Sequence, residues 1–274
     1  FTQKGKCFWM RVYEIPEGSK NSKGRAMQNL INIEQDDRVK AFICTQDLKD
    51  EEYVNSNYVI MATKMGQVKK TSLEQYSRPR SNGINAITIK DGDELLEAKL
   101  TNGNSQIMLA VKSGKAIRFE ESKTRPMGRN ASGVRGIRLK DNKDEVVGMI
   151  SVNDMDANIL VVSENGFGKR SSLEDYRLTN RGGKGVKTIS ITEKTGKLVT
   201  LKSVSDNDDL MIINKSGIAI RMQVEDLRVM GRATQGVKVI SLKDGDSIAA
   251  VAKVMKDDDD LEDVNDIEFT GDTV

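Results

Sequence analysis

The sequence predicts an all-β protein built from five repeats of about 50 residues. Two glycines recur in each repeat, β-rich runs flank them, and the apolar spacing of an amphipathic helix is nearly absent. The first glycines are Gly5, Gly66, Gly114, Gly166 and Gly217, and the second are Gly24, Gly83, Gly133, Gly185 and Gly236. The two glycines of a repeat are 19, 17, 19, 19 and 19 positions apart. Such regular spacing is hard to obtain by chance.

Each repeat contains four short runs that we interpret as strands. In the third repeat these are residues 107–111, 116–119, 133–139 and 145–152. Asp-Gly pairs at 91–92 and 244–245 stand between the last two runs of their repeats, and this dipeptide favours a tight hairpin turn. A four-stranded unit of about 50 residues is typical of a blade in a β-propeller. A solenoid of helix pairs is excluded by the strand content, and a β-sandwich would not preserve the glycine spacing.

We expect two regions, a β-propeller at residues 1–256 and a tail at residues 257–274. The tail has nine acidic residues, no basic residue and few apolar residues, so we expect it to be disordered. The first 256 residues then carry 43 basic and 32 acidic groups, a net charge of +11. A basic body indicates a polyanionic partner, and the tail is a candidate competitor for it. The chain begins within a repeat, so we expect it to be a fragment.

The composition argues against catalytic and metal sites. Histidine is absent and only Cys7 and Cys44 could supply thiolates, so we expect no metal, no cofactor and no catalytic residue, while composition leaves catalysis by carboxylates alone open. Gly183-Lys184-Gly185 lacks the Ser or Thr that follows Lys in a nucleotide-binding loop. No apolar run approaches the ~18–20 residues of a membrane span. We expect buried free thiols, a cytoplasmic location and no membrane partner.

Basic residues recur with the repeats. One base lies four positions beyond the first glycine in four repeats, at Lys70, Arg118, Arg170 and Arg221. The loop before the second glycine carries Lys20, Lys23, Arg25, Arg78, Arg80, Arg129, Arg181, Lys184 and Arg232. Equivalent positions of radially arranged blades form a ring, and a ring of bases on one edge can follow a phosphate backbone. The alternative is that exposed loops carry bases only for solubility.

The loop at residues 179–185, Thr-Asn-Arg-Gly-Gly-Lys-Gly, resembles the box Gln-Arg-Arg-Gly-Gly-Lys-Gly of the C-terminal domain of the DNA gyrase A subunit. Five of seven positions match. Residues 23–39, 127–139 and 230–242 are similar to successive blades of that domain, and the resemblance covers residues 1–256. It implies a β-propeller of the β-pinwheel type with six blades in the full protein. The family's principal box lies in the first blade, so we expect that blade upstream of Phe1 and regard 179–185 as a secondary, box-like loop.

The resemblance also implies a function. The domain would bind duplex DNA without sequence preference and bend it around a basic rim, without catalysing a reaction itself. Gly182, Gly183 and Gly185 would let backbone N–H groups approach phosphates, while Arg181 and Lys184 supply charge. The partners implied are the N-terminal cleavage core of the same subunit, together with the ATPase subunit, in an A2B2 type II topoisomerase that uses ATP to introduce negative supercoils.

Two alternatives remain open at this stage. The corresponding domain of topoisomerase IV shares the fold but typically has fewer or degenerate blades and lacks a good box. A protein-binding propeller scaffold would want an apolar or aromatic face, yet aromatic residues make up only 4% of the chain.

Overall fold

Seventeen β-strands dominate the computed structural model, which describes residues 1–19, 24–243 and 245–255. The strands are β1 Lys6–Cys7, β2 Tyr58–Thr63, β3 Gln67–Ser72, β4 Ile84–Asn85, β5 Leu95–Thr101, β6 Gln106–Val111, β7 Lys115–Glu120, β8 Val134–Arg135, β9 Val146–Val152, β10 Asn158–Ser163, β11 Phe167–Ser172, β12 Val186–Lys187, β13 Leu198–Val204, β14 Asp208–Asn214, β15 Ala219–Gln223, β16 Val237–Lys238 and β17 Ile248–Met255. The short helices are α1 Glu51–Ser56 and the 3-10 helices Val12–Glu14, Met27–Asn29, Leu73–Tyr76, Glu121–Lys123 and Leu173–Asp175. The all-β prediction is confirmed. The predicted acidic tail lies outside the described residues, as do Lys20 and Lys23.

The strands form five antiparallel sheets, one for each repeat. Written from inner to outer strand, blade 2 is β5-β2-β3-β8, blade 3 is β9-β6-β7-β12, blade 4 is β13-β10-β11-β16 and blade 5 is β17-β14-β15, while blade 1 contains β1 and β4. The inner strands β5, β9, β13 and β17 contact one another in succession. Each outer strand therefore lies at the edge of its sheet farthest from these inner contacts, as in a β-propeller.

The outer strand of a blade comes from the next repeat. Strand β8 belongs to the third repeat, but it pairs with β3 of the second, with Val134 opposite Val68 and Arg135 opposite Gln67. Strands β12 and β16 pair in the same way with β7 and β11 of the preceding repeats. The prediction that each repeat forms its own four-stranded unit is therefore wrong, because one strand of each unit is donated to the neighbouring blade. Blade 5 shows three strands within the described residues.

The predicted hairpin before the inner strand is a turn between strands that do not pair with each other. At residues 90–93 the N–H of Asp93 donates to the carbonyl of Lys90 at 3.0 Å, so the chain does turn tightly. The strand before it, β4, pairs with β1 of the preceding repeat, whereas the strand after it, β5, pairs with β2. The turn therefore returns the chain from the edge of one blade to the inner strand of the next.

The hydrophobic core consists of clusters between successive blades. Between blades 3 and 4, Met108 and Ile150 of one blade pack with Ile159, Leu173 and Tyr176 of the other, and all five are buried. Equivalent clusters join blades 1 and 2, 2 and 3, and 4 and 5. Burial of apolar surface thus stabilises the contact between blades, so each blade depends on its neighbours.

The second glycine of a repeat allows the donated strand to approach the neighbouring blade. Gly185 precedes β12 and has a φ of +69°, and a Cβ atom there would lie 2.5 Å from the carbonyl oxygen of Ala116 in β7. The same approach recurs at Gly133 and Gly236. Only glycine accepts both the left-handed backbone and this close contact, which explains its regular recurrence.

Two buried lysines connect the third strand of a blade, counted from the inside, to the loop that covers it. Lys69 lies in β3 and Lys169 lies in β11. The Lys69 ammonium donates to the carbonyls of Ala86 at 2.5 Å and Arg129 at 2.6 Å, and Lys169 donates to that of Gly231 at 2.5 Å. Both lysine residues are 0% exposed. Burial lowers the pKa of Lys69 to about 7 and that of Lys169 to about 8, because the charged form loses its hydration.

We expect Gly185→Ala to destabilise the protein by about 1–3 kcal/mol, because it combines a left-handed φ with a backbone clash. Gly183→Ala is the matched control in the same loop, since its Cβ would lie 3.4 Å from the Ile117 Cδ1 atom, an ordinary contact. Denaturant unfolding of both variants measures the difference. Equal losses of stability would contradict this account of the second glycine.

The low pKa of Lys69 predicts a stability that rises with pH. Between about pH 7 and the ordinary lysine pKa near ~10.4, the unfolded chain holds a proton that the folded chain has released, so raising the pH favours the folded state. Lys69→Met should reduce the stability gain between pH 6.5 and 9.5 by about 3 kcal/mol. Unfolding curves at the two pH values measure it, with the exposed Lys90→Met as control. A gain that is unchanged in Lys69→Met would contradict the assignment.

Candidate nucleic-acid interface

In blades 1 to 4 the outer edge is built from two pieces of the following repeat, a loop and the donated strand. The loop begins where the chain runs along the third strand of the preceding blade, counted from the inside, which is β3, β7 or β11. There the N–H groups of Met127, Thr179 and Met230 donate to the carbonyls of Lys70, Arg118 and Arg170 at 2.7, 2.9 and 2.8 Å. The loop then ends at the second glycine and the donated strand follows. We call this surface of loops and donated strands the outer edge.

The bases four positions beyond the first glycine do not reach the outer edge in blades 2 and 3. Lys70 is 5% exposed, and its ammonium lies 3.6 Å from the Glu121 carboxylate of the next repeat. The Arg118 guanidinium donates to the carbonyls of Leu173 and Tyr176 at 2.9 and 3.0 Å. These contacts favour a structural role, since Lys70 and Arg118 each tie their strand to the 3-10 helix region of the following repeat, and their predicted contact with DNA stays a prediction.

The same holds for Arg170 in blade 4, whereas Arg221 in blade 5 differs. Arg170 is 7% exposed, donates to the carbonyl of Leu227 and forms an ion pair with Asp206. Arg170 is therefore also an internal tie, and its predicted contact with DNA stays a prediction. Arg221 pairs with Asp209 at 2.7 Å and its side chain remains 42% exposed. No donated strand covers it within the described residues, which accounts for the exposure.

Several predicted loop bases do lie on the surface. Arg25, Arg78, Arg80 and Lys184 are exposed. Arg78 and Arg80 line an open groove of about 320 Å³ together with Arg129 and Glu74. The exposed basic side chains Arg25, Arg78, Arg80 and Lys184 remain candidates for phosphate contact. Because Lys20 and Lys23 lie outside the described residues, their predicted role stays a prediction.

Arg129, Arg181 and Arg232 occupy equivalent loop positions and are half-buried. In each, the guanidinium donates to a main-chain carbonyl of the donated strand that precedes it in the chain. The donor and acceptor pairs are Arg129 with Asn85 at 3.3 Å, Arg181 with Arg135 at 3.1 Å and Arg232 with Lys187 at 2.9 Å. These three arginines therefore bind protein backbone as well as lying near the outer edge.

The glycine-rich loop uses part of its backbone within the protein. The N–H of Gly182 donates to the carbonyl of Gly136 at 2.6 Å, and the carbonyl of Gly183 accepts from the N–H of Arg138 at 2.8 Å. The Gly182 N–H is therefore occupied within the protein, and the approach of other backbone N–H groups of this loop to a phosphate stays a prediction. Gly183 and Lys184 are exposed, so this part of the loop stays open to a ligand.

Two further sets of basic residues lie on the outer edge. They are not among the DNA-binding residues that the sequence pattern predicts. Arg135, Lys187 and Lys238 are exposed on the donated strands, two positions after the second glycine. Arg125, Arg177 and Arg228 are exposed at the start of the loops, eight positions before it. Both sets recur at a constant distance from either glycine, so searching every position of the aligned repeats for recurring basic residues would have identified them.

A second open groove lies beside the donated strand of blade 4. It has a volume of about 670 Å³ and is lined by Phe167, Lys194, Lys238 and Lys243 among others. The Lys194 ammonium lies 5.4 Å from the centre of the Phe167 ring. Three lysines converge there, so this groove extends the basic character of the outer edge.

Metal-binding clusters and membrane-spanning helices are both missing from the described ranges. In residues 1–19, 24–243 and 245–255, no group of three or more His, Cys, Asp or Glu is placed to hold a metal ion. None of the helices in these ranges is both long and apolar enough to span a membrane. Cys7 is buried and Cys44 is exposed, both as free thiols, so the prediction of burial is wrong for Cys44.

Comparison with solved structures identifies similar domains. The C-terminal domain of DNA topoisomerase IV superposes with a TM-score of 0.84 at 25% identity, covering 93% of this chain and 78% of that one. The DNA gyrase A C-terminal domain gives a TM-score of 0.79 at 25% identity, covering 93% and 80%. The E. coli ParC C-terminal domain shares the fold, with a TM-score of 0.52 at 17% identity over 76% and 89%.

Comparison with curated sequences points to one component of gyrase. The DNA gyrase A subunit of Staphylococcus epidermidis is 44% identical over 94% of this chain, and that of Staphylococcus aureus is 44% identical over 95%. The chain spans only 29% of the length of these relatives. The family described as "DNA gyrase C-terminal domain, beta-propeller" matches residues 1–46, 57–102, 106–153, 157–205 and 208–264. These five segments follow the five repeats, and the chain belongs to the DNA gyrase C-terminal domain family.

Proposed function

We propose that this chain binds duplex DNA along its outer edge and bends it, as the wrapping domain of a DNA gyrase A subunit. The observation that carries the proposal is the recurrence of exposed bases at equivalent positions of successive blades. Arg125, Arg177 and Arg228 form one series, and Arg135, Lys187 and Lys238 form the other. The gyrase A subunits found as relatives support the same assignment.

The shape of the outer edge favours contact with the phosphates of DNA over contact with its nucleobases. The donated strands are two residues long and pair within the sheets, so they offer no element that could enter the major groove. We therefore expect sequence-independent binding, because arginine and lysine on such a surface are placed to neutralise phosphates. Bending a site of 20–30 base pairs costs about 1–6 kcal/mol, and repeated contacts from successive blades would offset that cost.

In the whole protein, this domain would support ATP-dependent negative supercoiling without catalysing a step itself. Its partners would be the N-terminal cleavage core of the same subunit, together with the ATPase subunit, in an A2B2 type II topoisomerase in the cytoplasm. The similarity to the topoisomerase IV domain makes that enzyme the second candidate. The curated relatives favour gyrase. A topology assay of the full-length holoenzyme distinguishes them, since gyrase introduces negative supercoils whereas topoisomerase IV mainly decatenates.

We expect binding to random-sequence duplex DNA to weaken steeply with salt, and the Arg125→Gln, Arg177→Gln, Arg228→Gln triple variant to have a shallower slope. Each lost phosphate contact should reduce the slope of log K against log salt by about 0.9, so three contacts reduce it by roughly 2–3. Fluorescence anisotropy across a salt series measures the slope.

The matched control removes three exposed lysines from the turns that lead to the inner strands, Lys90→Gln, Lys140→Gln and Lys143→Gln. It changes the net charge equally but leaves the outer edge intact, so its slope should stay close to that of the wild type. Equal slopes in both triple variants would contradict binding at the outer edge, and sequence-specific binding would contradict the wrapping function.

We also expect deletion of residues 257–274 to raise the affinity for DNA, most strongly at low salt. The tail is a tethered polyanion with nine carboxylates, and it would compete for the bases of the outer edge at a high effective concentration. A variant of the same length with Asn and Gln in place of the acids is the control for length, and it should match the deletion. Equal affinities of the wild type and the deletion at every salt concentration would contradict the competition.

A further inference from the structure

Arg129, Arg181 and Arg232 share an arrangement that phosphate binding does not explain. Each guanidinium donates to a carbonyl of the donated strand of the preceding repeat, over 2.9–3.3 Å. The acceptor is always the residue two positions after the second glycine, namely Asn85, Arg135 or Lys187. In two of the three cases that residue is an exposed base of the outer edge. The same contact therefore fixes the backbone from which a neighbouring base projects.

Each of the three arginine residues is also held by the 3-10 helix region of the preceding repeat. The Arg181 Nε–H donates to the carbonyl of Lys123 at 2.9 Å. The other two use their main chain, with Arg129 N–H donating to Gln75 Oε1 at 3.1 Å and Arg232 N–H to Asp175 Oδ2 at 3.3 Å. The Arg181 side chain is therefore held on two sides, whereas at Arg129 and Arg232 the second contact fixes the backbone from which the side chain projects.

Because the outer strand of a blade is donated by the next repeat, this contact joins two blades. Arg181 lies in the loop that covers blade 3, whereas its acceptor Arg135 lies in β8, the outer strand of blade 2. The bond therefore joins the outer edges of two adjacent blades. A further bond, from the N–H of Gly182 to the carbonyl of Gly136 at 2.6 Å, runs across the same junction. At Arg181 the planar fork of donors engages two carbonyls at once, those of Lys123 and Arg135, which lysine cannot do with the same geometry.

We propose that Arg129, Arg181 and Arg232 are positioning residues that clamp adjacent blades and set the curvature that the outer edge imposes on DNA. The exposed bases around them contact the phosphates, and the clamps fix the spacing and direction of those bases from one blade to the next. The inference rests on the proposed function, since it assigns roles within the same DNA-binding surface. It separates the residues that determine DNA bending from those that determine affinity.

The test uses the 274-residue chain and two triple variants. In the clamp variant, Arg129→Lys, Arg181→Lys and Arg232→Lys keep every charge but remove the fork of donors. In the charge variant, Arg135→Gln, Lys187→Gln and Lys238→Gln remove three exposed bases and leave the clamps. Salt slopes are measured on duplex DNA. Bending is measured on saturated DNA as the linking-number change per bound chain after relaxation of a closed circle by a type I topoisomerase.

The clamp variant should keep the wild-type salt slope to within one contact, about 0.9, and lose at least half of the linking-number change. The charge variant should lose roughly 2–3 units of slope and retain most of the linking-number change at saturation. A clamp variant that bends DNA like the wild type, or whose slope falls as far as that of the charge variant, would overturn the inference. If the triple clamp variant does not fold, as judged by thermal unfolding, Arg181→Lys alone carries the test, with a smaller but measurable loss of linking-number change expected.

Failure of the proposed function gives a different result. In that case the wild-type chain itself would neither bind duplex DNA nor change its linking number. Binding and bending by the wild type together with an unaffected clamp variant would overturn only the inference.

Discussion

The pairing of a two-residue donated strand with the neighbouring blade is the interaction on which the rest of the structure depends. It places a loop of one repeat over the third strand of the previous blade, counted from the inside. It also requires a glycine where the two backbones meet, at Ala116 and its equivalents. The outer edge exists because of this exchange. Where no donor is present within the described residues, as at β15, the strand and Arg221 remain exposed.

The recurring bases of this chain divide into two structural classes. Lys70, Arg118 and Arg170 are internal, and their charged groups bind carbonyls or carboxylates of the next repeat. Arg177 and Lys187 are exposed at the outer edge. Burial of a charge is tolerated only when such partners are present. For Lys70, Arg118 and Arg170, the partners recur from one repeat to the next. A repeated fold thus repeats its internal ties as regularly as its ligand-binding residues.

The limits of sequence analysis follow from the same distinction. Glycine spacing was enough to predict the repeats and their turns, and all ten repeat glycines have φ between 67° and 87°. It could not show that β8 pairs with the previous blade, because strands of one repeat and strands of adjacent repeats have the same local pattern. It also could not separate Arg118 from Arg177, since periodic placement is equally typical of buried ties and of surface contacts. Lys69 and Lys169 were missed because lysine is rarely fully buried.

The strand exchange also bears on how such a protein changes its number of blades. Each stretch of one repeat length contains one strand that pairs with the preceding blade. It also contains one sheet edge that the following repeat completes. Duplication or loss of such a stretch therefore preserves the pattern of strand pairing at every junction between neighbours, as in other linear arrays of repeats. In this architecture the unit that genetic events copy and the unit that folds are offset by a single strand, and copy number can vary without the invention of a new interface.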